Sequence, residues 1–228
     1  MKKNTLLTGS RVRTMTLTAI FAALAYAVTL VIHFPVGFLT LDLKDAVIAI
    51  GSMILGPVAA LTTTALAALL EFLTIGDTGL YGLIMDVLSS LAFALPAALI
   101  YTQKKTLMGA ILALSSAVIT MTATMMVANL LVTPHFMGVT VGQVADMIPA
   151  TFLPFNFLKA LLNAGAVLLL YKPLSRALRH FGRDKNGASS HKSDPKRSLI
   201  LAAVAVAIIV LALLLLFFVM DAGVDFGK

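Results

Sequence analysis

The chain has 228 residues, 60% hydrophobic and 12% charged, with a net charge of +7 and no cysteine. A soluble domain would carry about a quarter charged residues and interrupt its apolar runs far more often, so the composition is that of a polytopic membrane protein. The missing cysteine excludes disulfides, thiolate metal sites and cysteine nucleophiles. His33, His135, His180 and His191 fall in no metal-ligand spacing, and no GxxxxGK[ST] occurs, so any ATP-driven work belongs to a partner.

Residues 1–13 carry Lys2, Lys3, Arg11 and Arg13 and lead into a first apolar run from Thr14 to His33, too long for a signal-peptide core. Ala19, Ala23 and Ala27 repeat every four residues along it, a smooth face for close helix approach, either inside the bundle or to a partner. A polar stretch from Pro35 to Lys44 follows. The next apolar run, Asp45 to Leu55, has only enough residues to cover about half a hydrocarbon core as a helix. Gly56-Pro57 separates it from a run ending at Leu73, and this pair is either a turn between two helices or a kink in one.

Further spans are expected over Leu80 to Tyr101, Leu107 to Val132 and Thr151 to Tyr171, with loops at Thr74 to Gly79 and Thr133 to Ala150. Charge decides the Gly56-Pro57 question. Four cations precede the first span, Lys104 and Lys105 separate two later ones, and eight lie between Lys172 and Arg197. With a turn and a cytoplasmic N-terminus, 14 of the 17 Lys and Arg residues fall inside; with a kink, ten of them move outside. The expectation is a cell-membrane protein with six core helices over 14–176, the second of them short. A basic cytoplasmic linker at 177–198, one further transmembrane helix at 199–220 and a tail at 221–228 complete it. The last helix contains no polar residue and reads as an appended, lipid-facing anchor. The basic clusters belong to span ends and indicate lipid rather than nucleic acid as the neighbour.

The most informative polar residues are Asn156, Lys159 and Asn163, at i, i+3 and i+7 on one helical stripe. An ammonium at membrane depth is expensive unless it is paired or faces a wet cavity. From the residues alone, Lys159 either meets a ligand or pairs with Asp86 or Glu71, and Asn129 and Asn163 either join a site or bond between helices. The topology puts this stripe in the outer half of its helix, with Asn129 at the outer end of the preceding one. No internal repeat is visible, which disfavours a self-sufficient secondary transporter, and no paired-carboxylate or HExxH spacing supports a lipid-modifying enzyme.

The chain resembles the substrate-binding S components of energy-coupling factor (ECF) transporters, most closely the riboflavin-specific group. The resemblance spans Arg11 to Arg176. It rests on Phe38-Leu39-Thr40-Leu41-Asp42 with Asp45, on Gly51 to Pro57, on Asn129 with Thr133-Pro134, and on Pro154-Phe155-Asn156 with Lys159 and Asn163. It implies an all-α, six-helix membrane fold with a short second helix and no catalytic or metal site. It also implies that riboflavin is carried as a transported ligand, not a cofactor, with Asn129, Asn156, Lys159 and Asn163 around the flavin. An Asn amide matches both the carbonyl acceptors and the imide N–H of a flavin edge, and Lys donates to a carbonyl. Phe38, Tyr81 and Phe155 are the aromatic contacts expected beside them, and Asp42 and Thr40 suit sugar-like hydroxyls. Where the group commonly has an asparagine, this chain has Asp86, which leaves another vitamin or nucleobase-like solute as the alternative. The Ala19, Ala23, Ala27 face is implied to dock on the ECF membrane scaffold subunit, which carries two ATP-binding-cassette ATPases.

Overall fold

A computed structural model describes the backbone of residues 2–181, 202–211 and 214, and the side chains of 11–170, 202–211 and 214. The expected basic linker and the C-terminal tail lie outside the described side chains.

Helix α1 (Lys2–Val31) buries Thr18, Ala22, Ala25 and Thr29 on one face, which packs against α2 and α3. Its contact with α2 is close because Gly51 has no side chain: a Cβ there would stand 2.7 Å from the Phe21 ring. The expected loop after α1 contains a small antiparallel hairpin, β1 (Phe34–Val36) with β2 (Leu39–Leu41), in register Pro35 to Thr40. Gly37 turns it at φ 63°, a left-handed conformation that a side chain resists. Val36 and Leu41 anchor the hairpin on Phe155, Leu158 and Leu162.

Helix α2 (Lys44–Leu55) has 12 residues, about 18 Å, and is too short to cross a membrane. Gly56 at φ 101° ends it, Pro57 opens α3 (Pro57–Thr74), and the two helices pack on one another. Gly56-Pro57 is therefore a turn, because only glycine adopts that φ readily and proline at the first helical position lacks just the N–H that would be unpaired.

The most extensive helix pair is α4 (Gly79–Gln103) with α5 (Leu107–Met137). Ala94, Ala97 and Ala98 on one side and Ala110, Ala113 and Ala117 on the other are fully buried, the small-residue packing that lets membrane helices approach.

The expected loop over Thr133 to Ala150 is mostly helical. Helix α5 runs on through Pro134 to Met137 and stops at Gly138, φ 67°. Thr140 and Gln143 then form a capping box for α6 (Val141–Met147), and a π-helical stretch, Ile148–Phe152, leads without a break into α7 (Leu153–Phe181). Polar caps and a proline made this stretch look like coil. Proline near a helix end is tolerated because it removes only its own backbone donor, and the segment keeps most of its hydrogen bonds.

Five helical stretches, Arg11–Val31, Pro57–Thr74, Gly79–Gln103, Leu107–Met137 and Val141–Leu170, are long and apolar enough to cross a membrane. Their outward residues, among them Ile20, Leu24, Leu61, Ile84, Leu99, Ile119 and Leu131, are apolar, as lipid contact requires. The apolar helix Ala202–Leu211 is not surrounded by lipid on every side as expected. Ala205 is fully buried, and Ile208 and Ile209 pack where α7 presents Gly165.

Candidate functional site

One end of the bundle carries the hairpin, the α3–α4 turn and the α5–α6 turn, and a cavity opens there. The hairpin contributes Phe38, Thr40 and Asp42; α3 and the turn after it, Glu71 and Asp77; α4, Tyr81, Asp86 and Ser89; α5, Asn129, Thr133 and Phe136; and α7, Phe155, Asn156 and Lys159. The empty space is about 1030 Å³ counted out through the open mouth.

The stripe on α7 divides by depth. Asn156 and Lys159 line the cavity, whereas Asn163 lies outside the lining and is fully buried. Its Nδ2 donates to the carbonyls of Asp42 and Lys159, both at 3.0 Å, and its Oδ1 accepts from the Ala46 N–H at 2.7 Å. Ala46 is in the first turn of α2, whose preceding residue, Leu43, offers no side-chain cap. Asn163 thus acts as an N-cap supplied from another helix, satisfying a donor that the helix start leaves unpaired.

Asn156 donates from Nδ2 to the Phe152 carbonyl at 2.8 Å, within the last turn of the π-helical stretch. Its Oδ1 has no partner among the described residues and remains an acceptor beside the cavity. Asn129 donates to the Met125 carbonyl at 2.7 Å and accepts from Thr133 Oγ1 at 2.9 Å, which fixes its orientation.

Lys159 pairs with neither Asp86 nor Glu71, the two partners weighed for it. Its Nζ donates to Asp42 Oδ2 at 2.8 Å and to the Thr40 carbonyl at 3.2 Å, which leaves one of three ammonium protons free. The second Asp42 oxygen accepts from the Lys44 N–H at 3.1 Å. Burial alone would push the Asp42 carboxyl up, but the adjacent Lys159 and Lys44 ammonium groups outweigh it and hold Asp42 below the usual carboxylate value. Asp42 and the Thr40 carbonyl therefore line the cavity mainly by positioning Lys159.

Glu71 and Asp86 both pair with Lys44, which is 1% exposed. Lys44 ends the polar stretch expected from Pro35 to Lys44, and its signal in the sequence is weak because both partners come from distant helices. Asp45, buried in the first turn of α2, accepts from Ser90 Oγ.

The aromatic side is a row of rings. Tyr81 meets Phe136 at 6.1 Å, Phe136 meets Phe38 at 6.2 Å, and Phe38 meets Phe152 at 6.0 Å between centroids. Phe136 falls in the segment expected as a loop, and Phe152 sits at the start of the last expected core span, where one more apolar ring carries no distinguishing signal. His135 bonds the Leu131 carbonyl of its own helix, and Asp146 is exposed; neither lines the cavity.

Residues 13–171 match the family described as ECF transporter, substrate-specific component. The chain belongs to this family. A solved structure, described as the S component of a bacterial ECF transporter, aligns with a TM-score of 0.63 and 26% identity, covering 74% of this chain and 99% of that one. No curated protein matches the chain. S components are substrate-binding transport subunits, not enzymes, and the family works with ECF scaffold and ATPase subunits. On this S component, Ala19, Ala23 and Ala27 are all exposed, on the face of α1 turned away from α2 and α3.

Proposed function

We propose that this S component binds riboflavin from the outer side of the cell membrane and hands it to an ATP-driven ECF importer. The observation that carries the reading is one cavity with an amide-and-ammonium wall, Asn129, Asn156 and Lys159, beside the aromatic residues Phe38, Tyr81 and Phe136. A flavin has the same two-sided character: a broad ring for aromatic contact and one edge of alternating carbonyl and imide groups. The Asn156 Oδ1 suits the imide N–H, and the spare Lys159 proton suits a carbonyl.

Orientation follows from charge. Keeping the cationic clusters cytoplasmic puts the N-terminus inside and the hairpin end outside. The exposed alanine face of α1 suits docking on the scaffold subunit, since small residues let helices pack closely without an aqueous driving force.

The test is purification followed by riboflavin titration with flavin fluorescence as readout. Saturable quenching at one site per chain is expected; a protein that leaves flavin fluorescence unchanged overturns the reading. The Glu71 and Asp86 carboxylates in the same lining favour a second reading, a different donor-rich vitamin, and a competition panel separates the two.

A further inference from the structure

We propose that Glu71 and Asp86, held in place by buried Lys44, form an acceptor-only wall that selects a neutral, hydroxyl-rich ligand and rejects its phosphorylated form. This rests on the riboflavin reading and extends it to the charge of the ligand's side chain.

Lys44 uses one oxygen of each carboxylate, Glu71 Oε2 and Asp86 Oδ1. The remaining oxygens belong to side chains that line the cavity and are 18% and 15% exposed. An ionised carboxylate oxygen only accepts, so this wall complements ligand O–H groups. One turn along α4 from Asp86, Ser89 lines the same wall. Its Oγ is buried and has no partner among the described residues. Of the unpartnered buried side-chain atoms among the described residues, which also include Asp45 Oδ2, Thr63 Oγ1 and Thr64 Oγ1, Ser89 Oγ is the one whose residue lines the cavity, where a ligand group can complete its hydrogen bonding. With the flavin edge on Asn156 and Lys159, a polyhydroxyl chain extended across the cavity would meet Glu71, Asp86 and Ser89.

The same groups oppose a phosphate. Among the described residues, the carboxylates lining the cavity are Asp42, Glu71, Asp77 and Asp86, and the lining ammonium is Lys159, already bonded to Asp42. Lys44 is enclosed by its two acids and does not reach the ligand space. His33 also lines the cavity, and the four carboxylates outnumber the two basic side chains of the lining. The first turn of α4, at the mouth, favours an anion through its free N–H groups, but Asp77 stands just before it and supplies negative charge there. A phosphate therefore enters a region with more anions than cations, where like charges are poorly screened.

The experiment compares riboflavin with riboflavin 5′-phosphate by fluorescence titration of the purified full chain, alongside Asp86→Asn and Glu71→Gln. The parent chain is expected to prefer riboflavin by about tenfold or more, and each variant to narrow the ratio by gaining affinity for the phosphate ester. The ratio in the parent chain needs no substitution, so a variant that folds poorly does not remove the test. Equal binding of the two ligands by the parent, or an unchanged ratio in both variants, overturns this inference and leaves the riboflavin reading standing. Failure to bind riboflavin at all overturns both.

Discussion

Lys44→Met is the most direct test of how the cavity wall is held. Methionine keeps the unbranched apolar stem, one atom shorter, and removes the ammonium that bridges Glu71 and Asp86. Lys44 is 1% exposed, so water does not replace the lost charge at the nitrogen position. Two carboxylates brought together by one cation are left facing each other without it. Breaking a buried ion pair from one side costs roughly 3–5 kcal/mol. Both acids retain some contact with the cavity and one can protonate, so the lower end, about 3 kcal/mol, is the appropriate figure. For a chain of this size that corresponds to a fall in Tm of roughly 6–12 °C. The assay is thermal unfolding of purified protein, followed by tyrosine fluorescence because the chain has no tryptophan. Adding Glu71→Gln and Asp86→Asn to Lys44→Met removes the repulsion and should recover most of the loss. A Tm within about 2 °C of the parent for Lys44→Met, or no recovery in the triple variant, would refute the bridging role.

Asn156 and Asn163 should separate cleanly. Asn156→Ala is expected to weaken riboflavin binding more than about tenfold with little change in Tm, because it removes an acceptor that only a ligand uses. Asn163→Ala should lower stability by about 2–4 kcal/mol, since it strands the buried Ala46 N–H and unties α7 from the Asp42 segment. Lys159→Met should also weaken riboflavin binding more than about tenfold in titration, by removing both the spare donor and the partner of Asp42. Phe136→Ala, which empties the middle of the aromatic row, should weaken binding by about tenfold in the same assay. Gly165→Leu should lower Tm, because even a Cβ there lies 2.9 Å from Ile209, and should leave riboflavin affinity within about twofold since residue 165 is outside the cavity lining.

What the sequence revealed and what it hid follow from how far apart the interacting residues lie. Gly56-Pro57 could be read as a turn because charge placement decided between a turn and a kink, and the structure supplies the local reason, a positive φ at Gly56 and a missing N–H at Pro57. The α7 stripe was visible because helical periodicity is local, yet periodicity says only that three side chains share a direction. It cannot say that α2 begins beside Asn163 and that Lys159 and Asn156 continue past it into open space. The Lys44 bridge depends on three elements that meet only in the folded bundle, and a lysine between Asp42 and Asp45 looks like an ordinary solvated loop end. Phe136 was hidden for the opposite reason: Thr133-Pro134, Gly138 and Thr140 are strong local breaking signals, and helix packing overrode the first of them. The polar residues of the cavity consequently divide by role. Asp42 and Asn163 spend their hydrogen bonds on holding α2, α7 and the hairpin segment together, and Lys44 ties α2 to α3 and α4. That internal satisfaction allows Lys159, held by Asp42 and the Thr40 carbonyl, and Asn156 to keep a donor and an acceptor uncommitted in a membrane-embedded site, where an unsupported ammonium would otherwise turn toward the lipid surface.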